Sequence, residues 1–477
     1  MRVSFIIPPS GFLLDERVFP TLGVLKVAAV LEQAGVDVSV LDLSGVSDVS
    51  GAVANYLASD DSDAYGLTAT MPQMPSAAAI TEQISAVKPN ARTILGGPHV
   101  TLMQASARQE KAPSRATAAM ADLAERFDVL VCGDGERAIH TALQDDVSGV
   151  VDGDDPKSEL FLQSADLDAM PMASRHLIDL DSYHYSIDGV RTHTLIAQLG
   201  CPFACNFCGG RRSPFLRRIR TRSTDRVLDE LRHLYQTYGT RGFMFFDDEL
   251  NVNRLFMDML AGIVRLQDEL GVDFRLRGFL KSELITPEMA REMFRAGFRQ
   301  VLVGFESGDP RILQNIQKKA TRDDNTRAVD VLHEHGLSVK AAMSIGHPGE
   351  SDDTIEASRS WLLAVRPDEF DVSIITVYPG TPYYDDARES RPGVWTYADP
   401  RTGDRLHSWH VDHLTEQNFY KGVPGTYHSF VYTDHLTAEQ LVQGRDALEA
   451  DVRSELRIPY PTAVPALAFD HSMGMGR

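Results

Sequence analysis

The chain has 477 residues, 43% of them hydrophobic, and a formal net charge of −20. This length favours about three domains. The negative charge argues against an extended nucleic-acid surface, which needs clustered positive charge, and the sequence has no apolar run of the roughly 18–20 residues that span a bilayer. Residues 1–9 are too short for a signal peptide. We therefore expect a cytoplasmic protein with neither a nucleic-acid partner nor a membrane span.

The first 150 residues alternate short apolar strands with helices. The pattern predicts strands at 3–7, 36–41, 64–68, 92–95 and 129–132, and helices that include 22–34 and 76–87. Such alternation indicates an α/β, doubly wound, Rossmann-like domain with helices on both faces of a parallel sheet. Ligands of these sheets bind beyond the carboxyl ends of the strands. The acidic, proline-punctuated residues 151–190 suit a linker.

Three glycine-containing or polar loops follow strand ends of this domain, at residues 68–73, 96–99 and 133–136. Glycine lets a backbone take positive φ and approach a ligand closely. Any one of these loops could be ordinary turn chemistry. Because all three lie on one edge of the predicted sheet, together they indicate a ligand site.

A second series of six strand–helix units follows, with strands predicted at 194–199, 242–246, 273–277, 300–304, 338–345 and 371–377. Six parallel units fit a partial (β/α)6 barrel over residues 191–395, an open relative of the eight-fold barrel. Active residues of such barrels lie at the carboxyl ends of the strands. The polar residues at these ends are Asp247, Asp248, Glu306, Ser307, His347 and Tyr378.

The first of these strands runs into Cys201-Pro-Phe-Ala-Cys205-Asn-Phe-Cys208. Three thiolates at this spacing can hold three irons of a [4Fe–4S] cube and leave the fourth iron open. A structural zinc site needs a fourth ligand, and the nearest candidate, His193, lies on the far side of the predicted strand. A disulfide is disfavoured because the chain has only four cysteines and no secretory signal. Cys132 is expected to be a buried thiol at a strand end.

The cysteine motif resembles that of the radical S-adenosylmethionine (SAM) enzymes. Residues 20–29 (PTLGVLKVAA), 95–99 (LGGPH) and 133–136 (GDGE) resemble the cobalamin-binding domain that precedes the catalytic domain in the class B, methyltransferase-like branch. The resemblance spans most of residues 1–390. It implies a [4Fe–4S] cluster, SAM and cobalamin as cofactors.

The resemblance also implies roles for individual residues. It places Cys201, Cys205 and Cys208 on the cluster. It places near SAM the residues Phe207, Asp247, Asp248, Glu306 and Ser307, and near cobalamin Thr70, Gln73, Gly96, Gly97, His99, Gly133, Gly135 and Glu136. Phe207 could instead be plain core, and Asp248 or Glu249 could cap the next helix. His347 and Tyr378 are candidates for proton transfer or substrate contact.

One motif of other cobalamin proteins is missing. The Asp-x-His-x-x-Gly motif, whose histidine binds cobalt from below, does not occur in residues 10–17. The radical SAM relatives usually lack it as well, so the lower ligand of cobalt stays open. His99 is one candidate for it.

The resemblance implies C-methylation of an unactivated carbon in a small metabolite or natural-product intermediate. Its alternatives are ring closure, ring contraction or oxygen insertion without methyl transfer, and, from another class, a non-catalytic cobalamin or iron–sulfur sensor. A tRNA-modifying radical enzyme is disfavoured because extra cysteines and a basic module are missing. The expected partners are a small-molecule substrate and a one-electron donor such as flavodoxin or ferredoxin.

Two further stretches carry open interpretations. The six arginines that follow the cysteines form either a solvated loop that offsets cluster charge or a patch for an anionic substrate, cofactor or redox partner: Arg211, Arg212, Arg217, Arg218, Arg220 and Arg222. Residues 396–477 contain many aromatics and histidines and a helix at 436–456 capped by Thr437. They predict an α-rich cap that closes the barrel and shapes the substrate pocket, or simply packs.

Overall fold

The N-terminal part of the chain is a parallel sheet between two helical layers. The computed structural model describes residues 1–10, 15–111, 114–419 and 426–459. The strands are β1 (Arg2–Ile7), β2 (Asp37–Asp42), β3 (Ala64–Thr68), β4 (Arg92–Gly96), β5 (Val129–Gly133) and β6 (Gly149–Gly153), paired in parallel in the order β2-β1-β3-β4-β5-β6. The helices are α1 (Leu22–Gln33), α2 (Val49–Ser59), α3 (Met74–Val87), α4 (Pro98–Ala107), α5 (Arg115–Arg126) and α6 (Gly135–Ala142).

Both faces of this sheet are buried, as the apolar runs predict. Alternate side chains of one strand enter different cores: Val129 and Val131 of β5 pack with α1 and α6, whereas Leu130 and Cys132 pack with the cluster that includes α3, α4 and α5. Cys132 is fully buried in a strand, as expected. The predicted boundary at residue 150 falls inside β6, which extends the sheet to Gly153.

A connecting segment with helix α7 (Ser164–Ala169) leads to the second sheet. Its strands are β7 (Ser186–Ile187), β8 (Val190–Leu195), β11 (Gly242–Phe245), β12 (Arg275–Leu280), β13 (Phe298–Glu306), β14 (Ser338–Ile345) and β15 (Glu369–Ile374), and a small ribbon pairs β9 (Gln198–Leu199) with β10 (Arg220–Thr221). The helices are α8 (Pro214–Arg217), α9 (Thr224–Tyr238), α10 (Phe256–Leu270), α11 (Pro287–Ala296), α12 (Pro310–Asn315), α13 (Arg322–Glu334), α14 (Asp352–Val365) and α15 (Pro382–Asp385).

This sheet is the predicted partial barrel. Its order is β15-β14-β13-β12-β11-β8-β7, with six parallel strands and an antiparallel β7–β8 hairpin at one edge. Strands β15 and β7 are its two edges, so the sheet curls without closing. The first predicted strand, 194–199, is displaced: β8 ends at Leu195, and the chain then leaves the sheet to form β9.

The C-terminal region differs from the predicted α-rich cap. It contains a four-stranded antiparallel sheet of β16 (Arg388–Arg391), β17 (Val394–Ala398), β18 (Arg405–Trp409) and β19 (Val431–Thr433), followed by helix α16 (Ala438–Leu456). The helix begins after its predicted cap, Thr437, whose hydroxyl accepts from the Gln440 N–H. Buried and exposed residues alternate in β18, but its sequence RLHSW does not alternate apolar and polar residues, so the period-2 pattern could not be seen from the sequence. In the described part of the chain, no helix combines the length and apolarity that a membrane crossing requires.

Candidate active site

The cysteine loop is fixed to the chain that follows it by main-chain contacts. The Cys201 N–H donates to the Leu216 carbonyl at 2.9 Å, and the Cys208 N–H donates to the Cys205 carbonyl at 3.3 Å. Gly200 precedes the loop with φ +86°, and a Cβ there would collide with the Arg218 carbonyl. Only glycine suits this position, because L side chains rarely adopt that φ and none would fit.

The arginine run holds this loop in place. Arg217 donates to the carbonyls of Phe203 at 2.7 Å and Pro202 at 3.1 Å. Arg211 donates to the Ala204 carbonyl at 2.8 Å and also contacts the Asn206 side chain. Hydrogen bonds from a charged donor are stronger than neutral ones. The two arginines therefore bracket the segment between the first two cysteines.

Two other arginines of the run tie the loop to distant elements. Arg220, buried, pairs with Asp134 at the start of α6 and donates to the Leu162 carbonyl at 3.0 Å. Arg222 donates to the Ile196 carbonyl and to Glu230, both at 2.7 Å. Arg212 also pairs with Asp386 at 3.2 Å. Five of the six arginines thus have polar partners in the structure, a role that neither the solvated-loop nor the anion-patch interpretation included.

The donor set of the loop fits an iron–sulfur cluster. Burial raises the pKa of Cys201 to about 12 and also raises the pKa of Cys205, where the ammonium groups of Lys318 and Lys281 oppose it. Among the described residues, no three His, Cys, Asp or Glu side chains are grouped as ligands of a single ion. In a cluster each thiolate binds its own iron. His193, the extra zinc ligand considered above, contacts the Thr240 hydroxyl at 2.7 Å instead.

The three acidic residues after β11 have different surroundings. Asp247 is buried and accepts the N–H groups of Ala197 at 3.1 Å and Gln198 at 2.6 Å, which turns the chain out of β8 toward the cysteines. Burial raises the pKa of Asp247 to about 7, although these two hydrogen bonds oppose the rise. Asp248 is exposed. The Oε2 atom of Glu249 is buried and has no hydrogen-bond partner in the described part of the chain.

Glu306 ends β13 in a strained conformation. Its φ is +68°, and the β13–β14 register shifts there. Its carboxylate accepts from Lys318 Nζ at 2.9 Å and from the Ser344 hydroxyl at 2.8 Å. Burial alone would raise the pKa of Glu306, but the Lys318 charge and these hydrogen bonds outweigh it and lower the pKa. Non-glycine residues in this region of φ cluster at functional sites.

The other predicted residues of the barrel lie around this pair. His347 is fully buried, its Nε2 contacts the Ser344 hydroxyl at 2.8 Å, and burial lowers its pKa to about 4, so the ring is neutral. The Phe207 ring lies 5.3 Å from the His347 ring and packs on the Ile312 cluster, so it serves as core as well. Ser307 is buried and contacts the Ser358 hydroxyl at 3.1 Å.

The predicted cobalamin residues lie at the carboxyl edge of the N-terminal sheet, where several bind one another. Gln73 accepts from the Thr70 hydroxyl at 2.9 Å and donates to the Pro8 carbonyl at 2.7 Å. Glu136 pairs with Lys26 at 2.7 Å. Gly97 and Gly133 have φ of +102° and +76°, whereas Gly96 and Gly135 have no such φ and are enclosed by Val131 and Val27 respectively.

Among the predicted cobalamin residues, His99 has a side-chain nitrogen that is available for a further hydrogen bond or ligand bond. Its side chain is buried, and its Nδ1 has no hydrogen-bond partner among the described residues. Buried polar atoms without partners are rare in native proteins. An unpaired nitrogen beside three ligand-accessible loops fits a bound group at this edge.

The carboxyl edges of the two sheets face each other. Met71 after β3 and Leu102 of α4 pack with Phe419, and Tyr378 after β15 and Leu216 of the cysteine segment lie against the same cluster. The cysteine loop and the His99 edge therefore border one interior region.

Two known protein families match the sequence of this chain. Residues 195–362 match the model of the radical SAM superfamily, and residues 16–131 match the B12 binding domain. This chain is a radical SAM enzyme with a B12-binding domain. The predicted cofactors, a [4Fe–4S] cluster, SAM and cobalamin, are those of the two families.

The enzyme is similar to methyltransferases and to other members of the superfamily. It is 27% identical over 387 residues to an uncharacterized methyltransferase of Pyrococcus horikoshii, covering 80% of this chain and 82% of the relative. It is 25% identical over 411 residues to the anaerobic magnesium-protoporphyrin IX monomethyl ester cyclase of Cereibacter sphaeroides, covering 82% of this chain and 64% of the cyclase. The fold matches the radical SAM methyltransferase TsrM of Kitasatospora setae, with a TM-score of 0.67, 18% identity, and coverage of 95% and 90%.

Several residues of the radical SAM site were not predicted from the sequence. Lys281 and Lys318 lie near Cys205 but occur in loops without a motif, so no pattern indicates them. Glu249 directly follows Asp247 and Asp248, which the resemblance places near SAM, and this position in the sequence indicates it as a further candidate. His413, whose ring centroid lies 5.5 Å from that of His99, comes from the C-terminal region, and only the folded chain brings the two together.

Proposed function

We propose that the enzyme methylates an unactivated carbon of a small metabolite or natural-product intermediate. The observation that carries the proposal is the meeting of the cysteine loop and the His99 edge across one interior region. When bound, the cluster with SAM supplies a carbon-centred radical that removes a hydrogen atom, and cobalamin supplies a methyl group. A substrate between the two edges is within reach of both.

We assign roles in cofactor binding to the cysteines and to the acidic residues after β11. Cys201, Cys205 and Cys208 hold the cluster. Asp248 and the unpartnered Oε2 of Glu249 are the carboxylates that we place toward the ammonium and ribose of SAM. Asp247, whose oxygens already accept two N–H groups, sets the course of the loop.

The Lys318–Glu306 pair adds a second charged boundary to this space. Lys318 is buried, and although burial alone would lower its pKa, the Glu306 carboxylate raises it, so it is a fixed cation beside Cys205. Ser344 and His347 hold Glu306 on the other side. We place Phe207 and Ser307 at the edge of the SAM space and Tyr378 toward the substrate.

The N-terminal loops would hold the corrinoid. We place Gly96, Gly97 and His99 against it, together with Thr70, Gln73, Gly133, Gly135 and Glu136. A small-molecule substrate and a one-electron donor such as flavodoxin or ferredoxin complete the proposal. Reduced thiols are needed for the cluster, which suits the cytoplasm.

A second candidate is radical chemistry without methyl transfer. It is favoured by the likeness to the cyclase over most of this chain. The products separate the two: methyl transfer forms S-adenosylhomocysteine alongside 5′-deoxyadenosine, whereas ring closure, ring contraction or oxygen insertion does not consume SAM in that way. A cobalamin or iron–sulfur sensor would form neither.

The test is anaerobic reconstitution of the full chain with iron, sulfide and hydroxocobalamin. We expect a protein that carries iron and a corrinoid spectrum and that cleaves SAM to 5′-deoxyadenosine when reduced. Cys205→Ala is expected to abolish cleavage and keep the corrinoid. Cys132→Ala is the matched control, because Cys132 is a buried cysteine of the N-terminal core whose thiol donates to the Val100 carbonyl at 3.7 Å. This variant is expected to keep both SAM cleavage and the corrinoid.

Two results would contradict the assignment. Cleavage retained in Cys205→Ala refutes the cluster ligands. Iron without bound corrinoid refutes the role of the N-terminal domain.

A further inference from the structure

A cavity of about 450 Å³ lies between the N-terminal domain and the C-terminal sheet. One wall is made by α4 and α5, and the other by β17, β18 and residues 410–414. This volume lies within the range of about 300–1,000 Å³ that small-molecule sites occupy. The walls are largely apolar and include both Trp395 and Trp409.

Two histidines at the inner end of the cavity have unused hydrogen-bonding atoms. His99 is 2% exposed and His413 is 7% exposed, and both line the cavity. Their rings contact at 5.5 Å, edge to face. Neither Nδ1 atom has a hydrogen-bond partner in the described ranges. Burial lowers the pKa of His413 to about 4 and that of His99 well below its usual value, so both rings are neutral and each offers one donor and one acceptor.

The outer part of the cavity contains a positioned cation. The Arg115 guanidinium lies between the rings of Tyr384 at 3.7 Å and Trp395 at 3.6 Å and donates to the Tyr384 carbonyl at 2.7 Å. Within the described residues, no carboxylate lies within 4.0 Å of the Arg115 guanidinium, although Asp385, Glu110 and Glu389 are near enough to favour its charge. A guanidinium that is stacked between two rings and has no direct carboxylate partner is a suitable anchor for a carboxylate or phosphate.

The inner end of the cavity adjoins the region proposed for chemistry. His99 follows β4 directly, and Val377, which also lines the cavity, follows β15. The His413 ring lies 6.5 Å from that of Tyr378, the predicted substrate contact. A molecule anchored at Arg115 would therefore point its other end toward the facing strand ends.

We propose that this cavity binds the methyl acceptor, and that the acceptor is a small anionic molecule with an aromatic body. Arg115 binds the anionic group, Trp395 and Trp409 flank the body, and His413 hydrogen-bonds to a polar atom near the reacting carbon, whereas His99 faces the corrinoid. This inference rests on the proposed function, since it names the substrate class of that same site.

The test is binding of 2-naphthoate and of its neutral analogue 2-naphthamide to the full, cofactor-loaded chain, measured by anaerobic calorimetry. We expect 2-naphthoate to bind more tightly than 2-naphthamide. Arg115→Gln should weaken 2-naphthoate by about 10-fold or more and change 2-naphthamide by less than about 2-fold. The control is Arg322→Gln, an exposed arginine of α13, which should change neither.

His413 is tested with two variants, because one of them could disturb packing. His413→Ala and His413→Gln should both weaken both probes by several-fold while the thermal transition stays within a few degrees of that of the parent. Equal affinity for the two probes, or unchanged affinity in Arg115→Gln, overturns the inference. So does a chain that carries cluster and corrinoid yet binds neither probe, and that result leaves the proposed function intact. Binding of 2-naphthoate by a chain that takes up no corrinoid contradicts the proposed function instead.

Discussion

Neutralising Glu350 should make the protein more stable at alkaline pH. Glu350 ends the loop that follows β14 and is 1% exposed. Its carboxylate accepts the N–H groups of Gly346 at 3.0 Å and His347 at 3.4 Å and the Thr354 hydroxyl at 2.6 Å. Burial nevertheless dominates and raises its pKa from 4.5 to about 7.

The direction of the pH dependence of stability depends on whether the folded or the unfolded state binds the Glu350 proton more tightly. Because the folded pKa is the higher one, the folded state is favoured by protonation, and this contribution is fully present below pH 4.5 and is lost as pH rises through about 7. The interval between the two pKa values corresponds to about 3 kcal/mol. Thr354 can accept from the amide of a glutamine while its own hydroxyl donates to the Ser351 carbonyl at 2.9 Å, so Glu350→Gln keeps the local hydrogen bonds.

Thermal unfolding of Glu350→Gln and the parent chain at pH 5.5 and pH 8.5 measures the effect. At roughly 2–4 °C per kcal/mol for a unit of this size, the variant should melt roughly 6–12 °C higher at pH 8.5 and roughly 3–6 °C higher at pH 5.5, because about 1.4 kcal/mol of the contribution is already lost at the lower pH. The control is Glu334→Gln, at an exposed glutamate, which should follow the parent at both values. If Glu350→Gln loses as much stability as the parent between the two pH values, the burial argument is wrong.

Two further changes test the buried charge near the cluster and the backbone of the N-terminal domain. Lys318→Met leaves the Glu306 carboxylate buried without its ammonium partner and should lower the free energy of unfolding by about 3–5 kcal/mol. Adding Glu306→Gln should restore much of that stability, and the control Lys319→Met, at an exposed neighbour, should cost little. Denaturant titration measures the stability of all three variants, and no recovery in the double variant contradicts the pairing. Gly133→Ala should cost about 3 kcal/mol or more, because φ is +76° and the new Cβ would collide with Asp154. Gly149→Ala, at φ +78° with no atom within 4 Å, should cost only about 1–2 kcal/mol, and equal losses in the two alanine variants would disprove the collision.

The two sheets were predictable because their signals are local. Strands such as β3 and β5 are buried on both faces and consist mainly of apolar residues, and glycines such as Gly239 and Gly297 end helices of the second sheet with φ of +66° and +104°. The C-terminal sheet was missed although β16, β17 and β18 are joined by short connections. Its last pairing is not local, since Leu406 of β18 pairs with Thr433 of β19 and a long connection separates them. Aromatic content alone does not fix the partner of a strand.

The arginine run shows why charge patterns underdetermine roles. Six arginines without an intervening acid favour either solvent or an anion when only the sequence is considered. Their actual acceptors include the carbonyls of Pro202, Phe203 and Ala204, which carry no sequence signature because every residue has a carbonyl. Their carboxylate partners include Asp386, Glu230 and, from the other domain, Asp134. The arginine run supports the cysteine loop only after folding brings these carbonyls and carboxylates next to the arginines.

The three acidic residues after β11 also show that residue type alone does not determine the role of a charged side chain. Asp247, Asp248 and Glu249 are consecutive, and their identities do not distinguish a ligand from a support. Side chains of an extended segment alternate in direction, so Asp247 turns back to the N–H groups of Ala197 and Gln198 while Asp248 is exposed. The Asp247 carboxylate uses about half of its acceptor positions for these two N–H groups, and its burial limits the access of a ligand to the remaining ones. Our proposal therefore assigns the SAM contact to Asp248 and Glu249 and the support of the loop to Asp247.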